Sequence, residues 1–263
     1  MHPDWPKYLL PLILTTSILI YCKIKCDTIE DWIRQEIVLK TKDCMNKYVN
    51  RLNGKSLLQR FPDIVDRCAM SNYLEPEKFG SNEDSYESLI PLYSIPENHI
   101  GKCHAYFVFG TSKDGVLEEQ IVNMPLQKAF GCGYHFIGNH SNHWNLDNYQ
   151  KIETEYNMKA FRETLGQLQK NGTEYLEHLF INQMEDLEHN LVDFAFVKQR
   201  LRILPCQMTL TVKKPFQEAN MITFIEQTLH NPPYTVLKVN DTPDYIRFHM
   251  IMVTEYHCFA RYQ

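Results

Sequence analysis

Residues 105–115 read AYFVFGTSKDG. Five apolar residues in an unbroken run, most of them aromatic or β-branched, fit a strand buried on both faces; a half-exposed strand would alternate with polar residues. The run stops at Gly110, and Gly110 to Gly115 make a polar loop before the helical spacing of Val116, Leu117, Ile121 and Met124. Strand, glycine-bearing loop and helix in that order are the first unit of an α/β sheet. The alternation continues downstream. Tyr134 to Ile137 (YHFI) reads as a second strand, broken by Gly138-Asn139-His140, and helices over Met158 to Lys170 and Glu188 to Val197 flank a strand at His178 to Ile181. Ile203 to Val212 is another strand and Phe216 to Leu229 another helix. Two β-rich runs, Tyr234 to Val239 and Phe248 to Val253, follow, joined by Asn240-Asp241-Thr242-Pro243-Asp244. Helix-separated strands that end in a hairpin predict a mostly parallel α/β sheet with helices on both faces and an antiparallel last strand.

Upstream the character changes. From Tyr8 to Cys22 the chain reads YLLPLILTTSILIYC without a charge, between Lys7 and the pair Lys23 and Lys25. The run is shorter than the ~20 residues of a comfortable transmembrane helix, and its flanking lysines can snorkel. No small-x-small site follows it, which predicts an uncleaved membrane anchor and not a removed signal peptide. The flanking lysines roughly balance, so they leave the orientation open. Thr28-x-x-Asp31 then offers a capping box ahead of Ile29, Trp32, Ile33 and Ile37 at helical spacing. The pattern resumes through Cys44, Met45, Tyr48, Val49 and Leu52 and stops at Asn53-Gly54. Residues 72–102 are polar and punctuated by proline. These readings divide the chain into an anchor (1–26), a helical stalk or subdomain (27–71), a linker (72–102) and the α/β domain (103–263).

The whole-chain numbers agree with that division. At 263 residues, 44% hydrophobic and 22% charged, with 10 Gly and 13 Pro, the chain can bury a core and is neither low-complexity nor disordered. A net charge of -5 and a pI near 6.1 lack the cationic footprint of a dedicated nucleic-acid binder. A mean hydropathy of -0.38 excludes a polytopic membrane protein and leaves room for one apolar segment.

Beyond Cys26 come Cys44, Cys68, Cys103, Cys132, Cys206 and Cys258, with no Cys-x-x-Cys pair of the zinc-binding kind. Six cysteines allow up to three disulfides in an oxidising compartment, and the sequence does not choose among the pairings. Three N-glycosylation sequons, Asn139-His140-Ser141, Asn171-Gly172-Thr173 and Asn240-Asp241-Thr242, point the same way, to a domain facing the lumen of an endomembrane compartment. His135, His140 and His143 lie beside Cys132, but their spacing matches no metal motif and reads as histidines in and around an exposed loop. No metal is expected. Neither Asp-x-Asp nor Gly-x-Ser-x-Gly occurs.

Phe109-Gly110 with a loop ending at Glu118 or Glu119, then Cys132-x-x-x-Phe136-x-Gly138, resembles the cofactor half of the FkbM-like S-adenosylmethionine methyltransferases, in their membrane-anchored animal branch. Cys206-Gln207-Met208 and Cys258-x-x-x-Tyr262 are similar to the later strands of that branch, so the resemblance spans roughly residues 100 to 263. It implies a Rossmann-like methyltransferase sheet and S-adenosylmethionine as cofactor, with methyl transfer to an oxygen of an acceptor the sequence does not identify. The resemblance assigns cofactor binding to Gly110, Thr111, Asn139, His140 and Gln183. Glu185 is the implied catalytic residue, from a stretch Gln183-Met184-Glu185-Asp186-Leu187-Glu188 that keeps two glutamates of the family's Asp-x-Glu-Gly-x-Glu. At the second strand the family has an acid followed by proline to hold the ribose; this chain has Gly138-Asn139-His140-Ser141. That departure raises an alternative, a catalytically inactive methyltransferase fold serving as a binding or scaffold module. In the strand after the Gln183–Glu188 stretch, Thr209 and Thr211 stand at positions open to polar or acidic residues facing the crevice, and are equally good strand formers.

Overall fold

The computed structural model describes residues 36, 40–69, 76–81, 85–88, 103–110, 116–123, 134–137, 149–151, 157–171, 173–182, 187–195, 204–230, 233–255 and 258. The expected anchor, Tyr8 to Cys22, and the capping box at Thr28 lie outside them. Among the described residues no helix is long and apolar enough to cross a membrane. Met1–Lys40 and Thr41–Gln263 are two compact units.

In the second unit, helical turns over 41–49 bury Met45 and Val49 and leave Tyr48 exposed. The pattern breaks at Asn53-Gly54, as expected, but a new helix starts there. Helix α1 (Gly54–Cys68) places Leu57, Leu58, Phe61, Ile64, Val65 and Cys68 on one buried face at the three- and four-residue spacing that makes an amphipathic helix. Residues 27–71 and 72–102 thus both contribute elements to the unit that holds the sheet. The second range supplies an antiparallel hairpin of β1 (Glu77–Gly80) and β2 (Ser85–Ser88), in which the buried Phe79 and Tyr86 face each other.

The remaining elements are β3 (Cys103–Phe109), α2 (Val116–Asn123), β4 (Tyr134–Ile137), β5 (Tyr149–Lys151), α3 (Met158–Lys170), β6 (Thr173–Asn182), α4 (Leu187–Ala195), β7 (Leu204–Lys213), α5 (Glu218–His230), β8 (Tyr234–Asp241) and β9 (Tyr245–Met252). Strands β3 to β9 form one seven-stranded sheet in the order β5-β4-β3-β6-β7-β9-β8. The five strands from β5 to β7 pair in parallel. Strand β9 enters antiparallel between β7 and β8. The fold is α/β and Rossmann-like, with the antiparallel last strand that the terminal hairpin predicts.

Side chains alternate across the sheet, so register assigns each to a face. Phe107 pairs with Leu179, Leu179 with Met208 and Met208 with Met250, two residues from the Leu210–Phe248 pair on the same strands and so on the same face. The apolar face to which these rings belong is covered by helices. Phe161 of α3 packs against Phe107, Phe109 and Phe194 of α4 at centroid distances of 6.1, 5.1 and 5.7 Å. Phe224 of α5 and Phe61 of α1 both meet Phe248. On the opposite face Tyr86 of the β1–β2 hairpin meets Phe180 edge-on, and Gln120 of α2 accepts the Gly80 amide N–H at 2.6 Å.

Helix α3 begins where its cap dictates. Asn157 is extended, and its Oδ1 accepts the N–H of Ala160, one of the amides that an α-helix leaves unsatisfied at its start. Replacing Asn157 with alanine is expected to cost about 1 kcal/mol, read as a shift in denaturation midpoint at unchanged slope.

Among the described residues two disulfides close within this unit. Cys44–Cys68 ties the turns over 41–49 to α1, and Cys206–Cys258 ties the middle of the sheet to the segment after β9.

Candidate cofactor crevice

The parallel part of the sheet reverses its winding between β3 and β6: the chain steps outward from β3 to β4 and β5, then returns to β6 and proceeds to β7 on the other side. At such a reversal the connections leaving the two central strands diverge and open a crevice at the carboxyl ends, where ligands of open α/β sheets bind. Here those ends are Gly110 and Asn182.

Gly110 follows β3 directly and has φ of 83°. That left-handed conformation costs a residue with a Cβ roughly 1–2 kcal/mol, and glycine adopts it freely while letting a ligand approach the backbone. Its carbonyl is held from β6: the Asn182 Nδ2 donates to Gly110 O at 3.4 Å. The other end of the same amide, Oδ1, accepts from the Thr211 hydroxyl at 3.3 Å, and Thr211 Oγ1 accepts from Arg247 Nε at 2.9 Å. The direction of this relay is fixed by chemistry. Guanidinium only donates, so Thr211 must accept there, its single O–H is left for Asn182 Oδ1, and the Asn182 NH₂ is turned to Gly110. Arg247 is buried, with its guanidinium carbon 3.7 Å from the centroid of the Tyr86 ring and 4.6 Å from that of Tyr245. The hairpin therefore contributes directly to what holds the crevice floor.

Deeper along the same face lies a second cluster. His178 Nε2 and Thr209 Oγ1 are 2.8 Å apart, and Thr209 Oγ1 is 3.3 Å from His249 Nδ1. His178 also stacks on Phe180 at 3.7 Å. Burial drives both imidazoles toward the neutral form: His178 is held well below the usual histidine range by desolvation and then by His249, and His249 is pushed down to about 3 by desolvation. Thr209 and Thr211 are fully buried, and so do not face an open crevice as the sequence reading has them. They are the hydroxyl joints of two networks beneath it.

Of the residues assigned from sequence, Gly110 is placed at the switch point. Thr111, Asn139, His140, Gln183 and Glu185 lie outside the described residues. In the chain, Thr111 follows Gly110, Asn139 comes two residues after Ile137, and Gln183 follows Asn182. Glu188, the second retained glutamate, has a structural partner: its Oε2 accepts the Gln217 N–H at 3.1 Å, just ahead of α5. A carboxylate there suits the positive end of the helix macrodipole. Sequence reasoning missed Asn182, Arg247, His178 and His249. Their signal is polar residues that recur at even spacing in apolar runs: His178 and Asn182 four apart, then Gln207, Thr209 and Thr211, then Arg247 and His249. Among the described residues no group of three or more His, Cys, Asp or Glu is placed to hold a metal ion.

No protein-family model matches the chain, and the search of curated proteins found no match. Among solved structures, the chain is similar to a protein from Sulfolobus solfataricus named as a type 11 methyltransferase, at 12% identity and a TM-score of 0.31, over 61% of this chain and 90% of that one. A likeness of that size leaves the fold to rest on the strand order.

Proposed function

We propose that Thr41–Gln263 is a divergent methyltransferase-fold domain that takes S-adenosylmethionine at the mouth between β3 and β6, anchored to a membrane through Tyr8 to Cys22. The observation that carries this reading is the strand order, with an antiparallel β9 inserted between β7 and β8 and a left-handed Gly110 at the winding reversal. The FkbM-like motifs support it from the sequence side. When bound, S-adenosylmethionine would supply an electrophilic methyl carbon, to which an acceptor oxygen bonds as the carbon–sulfur bond breaks and the thioether leaves with the electron pair. Gly110 offers backbone to the methionine end, Asn182 fixes the Gly110 carbonyl, and Glu185 is the candidate to receive the acceptor's proton. The contribution of such a site is chiefly positioning. The domain faces an oxidising lumen in this reading, which the two disulfides support.

The same domain as a binding module without catalysis is the second reading, favoured by His140 in the place of the ribose-holding acid. A ribose hydroxyl left unpaired costs roughly 1–3 kcal/mol, about one to two powers of ten in affinity. Calorimetric titration of the detergent-solubilised chain with S-adenosylmethionine is therefore expected to show weak binding, strengthened by His140→Asp combined with Asn139→Ala. Tight binding by the unchanged protein with no gain from the double substitution would contradict the assignment of that loop.

A further inference from the structure

Three sequons leave open which asparagine is modified, and the fold separates them. Asn171 closes α3: its backbone N–H bonds back to the carbonyls of Gln167 and Leu168, and the residue is exposed. Two residues on, Thr173 opens β6. That strand is ten residues long, so at ~3.3 Å per residue its ends lie about 30 Å apart. Asn171 is thus at the amino pole of the sheet, and the Gly110–Asn182 mouth is at the carboxyl pole.

Of the other two sequons, Asn240 is at the crevice pole, in register through Arg247 and Thr211 with Asn182, and Asn139 lies outside the described residues. Asn139 comes two residues after the carboxyl end of β4. Asn240 is within β8, half-buried and in register with Arg247, whose Nε holds Thr211. Its sequon is also committed to the hairpin. Asp241 pairs with Lys214, and the Thr242 hydroxyl both accepts the Tyr245 N–H at 3.1 Å and donates to the Tyr245 carbonyl at 3.0 Å. A glycosylated asparagine must be open to solvent; Asn171 is exposed where its helix ends, whereas Asn240 is half-buried inside a strand.

We propose that Asn171, and neither Asn139 nor Asn240, carries an N-linked glycan, which projects from the pole opposite the crevice and leaves the mouth free. The inference rests on the reading that the domain faces an oxidising lumen. In the transfer the Asn171 side-chain nitrogen bonds to the anomeric carbon of a lipid-linked oligosaccharide. The carbon–oxygen bond to the lipid pyrophosphate breaks, the pyrophosphate leaves with the electron pair, and the amide nitrogen gives up one proton.

The test is intact mass of the full chain made in cells with a secretory pathway, before and after an enzyme that releases N-glycans, with alkylation of free thiols on the same samples. The unchanged protein is expected to lose one glycan's mass. Asn171→Gln and Thr173→Val should lose none, while Thr173→Ser, which restores the sequon, and Asn240→Gln should behave as the unchanged protein. A glycan that persists in both Asn171→Gln and Thr173→Val overturns the proposal. If it maps to Asn139, the reading of the crevice falls with it; if it maps to Asn240, the crevice reading stands. An unglycosylated protein whose Cys206 and Cys258 resist alkylation in denaturant, where burial no longer shields them, overturns the glycan site alone, and one whose thiols react there overturns the lumenal placement too.

Discussion

Replacing Cys206 and Cys258 together with alanine will lower the unfolding free energy by about 4 kcal/mol. The bond spans a sequence separation of 52, enclosing α5, β8 and β9, and the chain-entropy cost of leaving so long a loop open in the unfolded state sets that magnitude. Both cysteines are fully buried, so the disulfide adds no exposed surface that its loss would relieve. Cys44–Cys68, with a separation of 24, closes a shorter loop and should contribute about 3 kcal/mol by the same argument. Denaturant titration of the oxidised protein against the two double-alanine variants reads both values, and the order matters as much as the size. A smaller loss at Cys206–Cys258 than at Cys44–Cys68 would show that structure persisting in the unfolded chain outweighs loop length.

Acid will destabilise the fold well before its carboxylates titrate. In the unfolded chain His178 and His249 take a proton near 6.5; in the folded chain burial keeps both neutral, His249 down to about 3. Below pH 6.5 the unfolded state therefore binds more protons than the folded state, and protonation pulls the equilibrium toward unfolding. Stability is fully present above the unfolded value and declines as pH falls below it. At pH 5 His249 alone accounts for a loss of roughly 2 kcal/mol relative to neutral pH, and His178 adds to it in the same direction. The cluster cannot relieve this by moving toward water. Thr209 sits between the two rings, and His249 Nε2 has no hydrogen-bond partner to stabilise a charge. His249→Leu, which fills a similar volume without a titrating group, should reduce the slope of stability against pH between 5 and 6 by about 1.4 kcal/mol per pH unit. A flat stability profile between pH 7 and pH 5 in the unchanged protein would mean that the imidazoles are not sealed as the packing implies.

The long elements were legible because each carries one strong period. Met158–Lys170 repeats apolar residues at helical spacing, and Tyr134–Ile137 is an apolar run bounded by glycines; both occur where the pattern puts them. Strand β6 extends to Thr173, although its apolar run suggests a start at His178, because its backbone pairs with β3 from Cys103 and with β7 from Leu204. The β1–β2 hairpin has one apolar cross-strand pair, Phe79 and Tyr86, in strands of four residues, too few to show an alternation amid prolines and charges. Strand β5 has three residues and no period at all. For the site, Gly110 was readable as the residue where strand meets loop. The Arg247–Thr211–Asn182 relay was not, because its members come from β9, β7 and β6 and meet only through register, which period-2 patterns leave undetermined without the pairing itself.

The proposal that a ligand takes the mouth at Gly110 rests on that relay and on the winding reversal. The most direct test is a crystal structure of the full chain grown with S-adenosylhomocysteine, the demethylated product. The account predicts density between the carboxyl ends of β3 and β6, with the amino-acid end against the Gly110 backbone and the Asn182 amide still on the Gly110 carbonyl. A ligand bound elsewhere on the sheet, or a saturating soak that leaves this mouth empty, would contradict it.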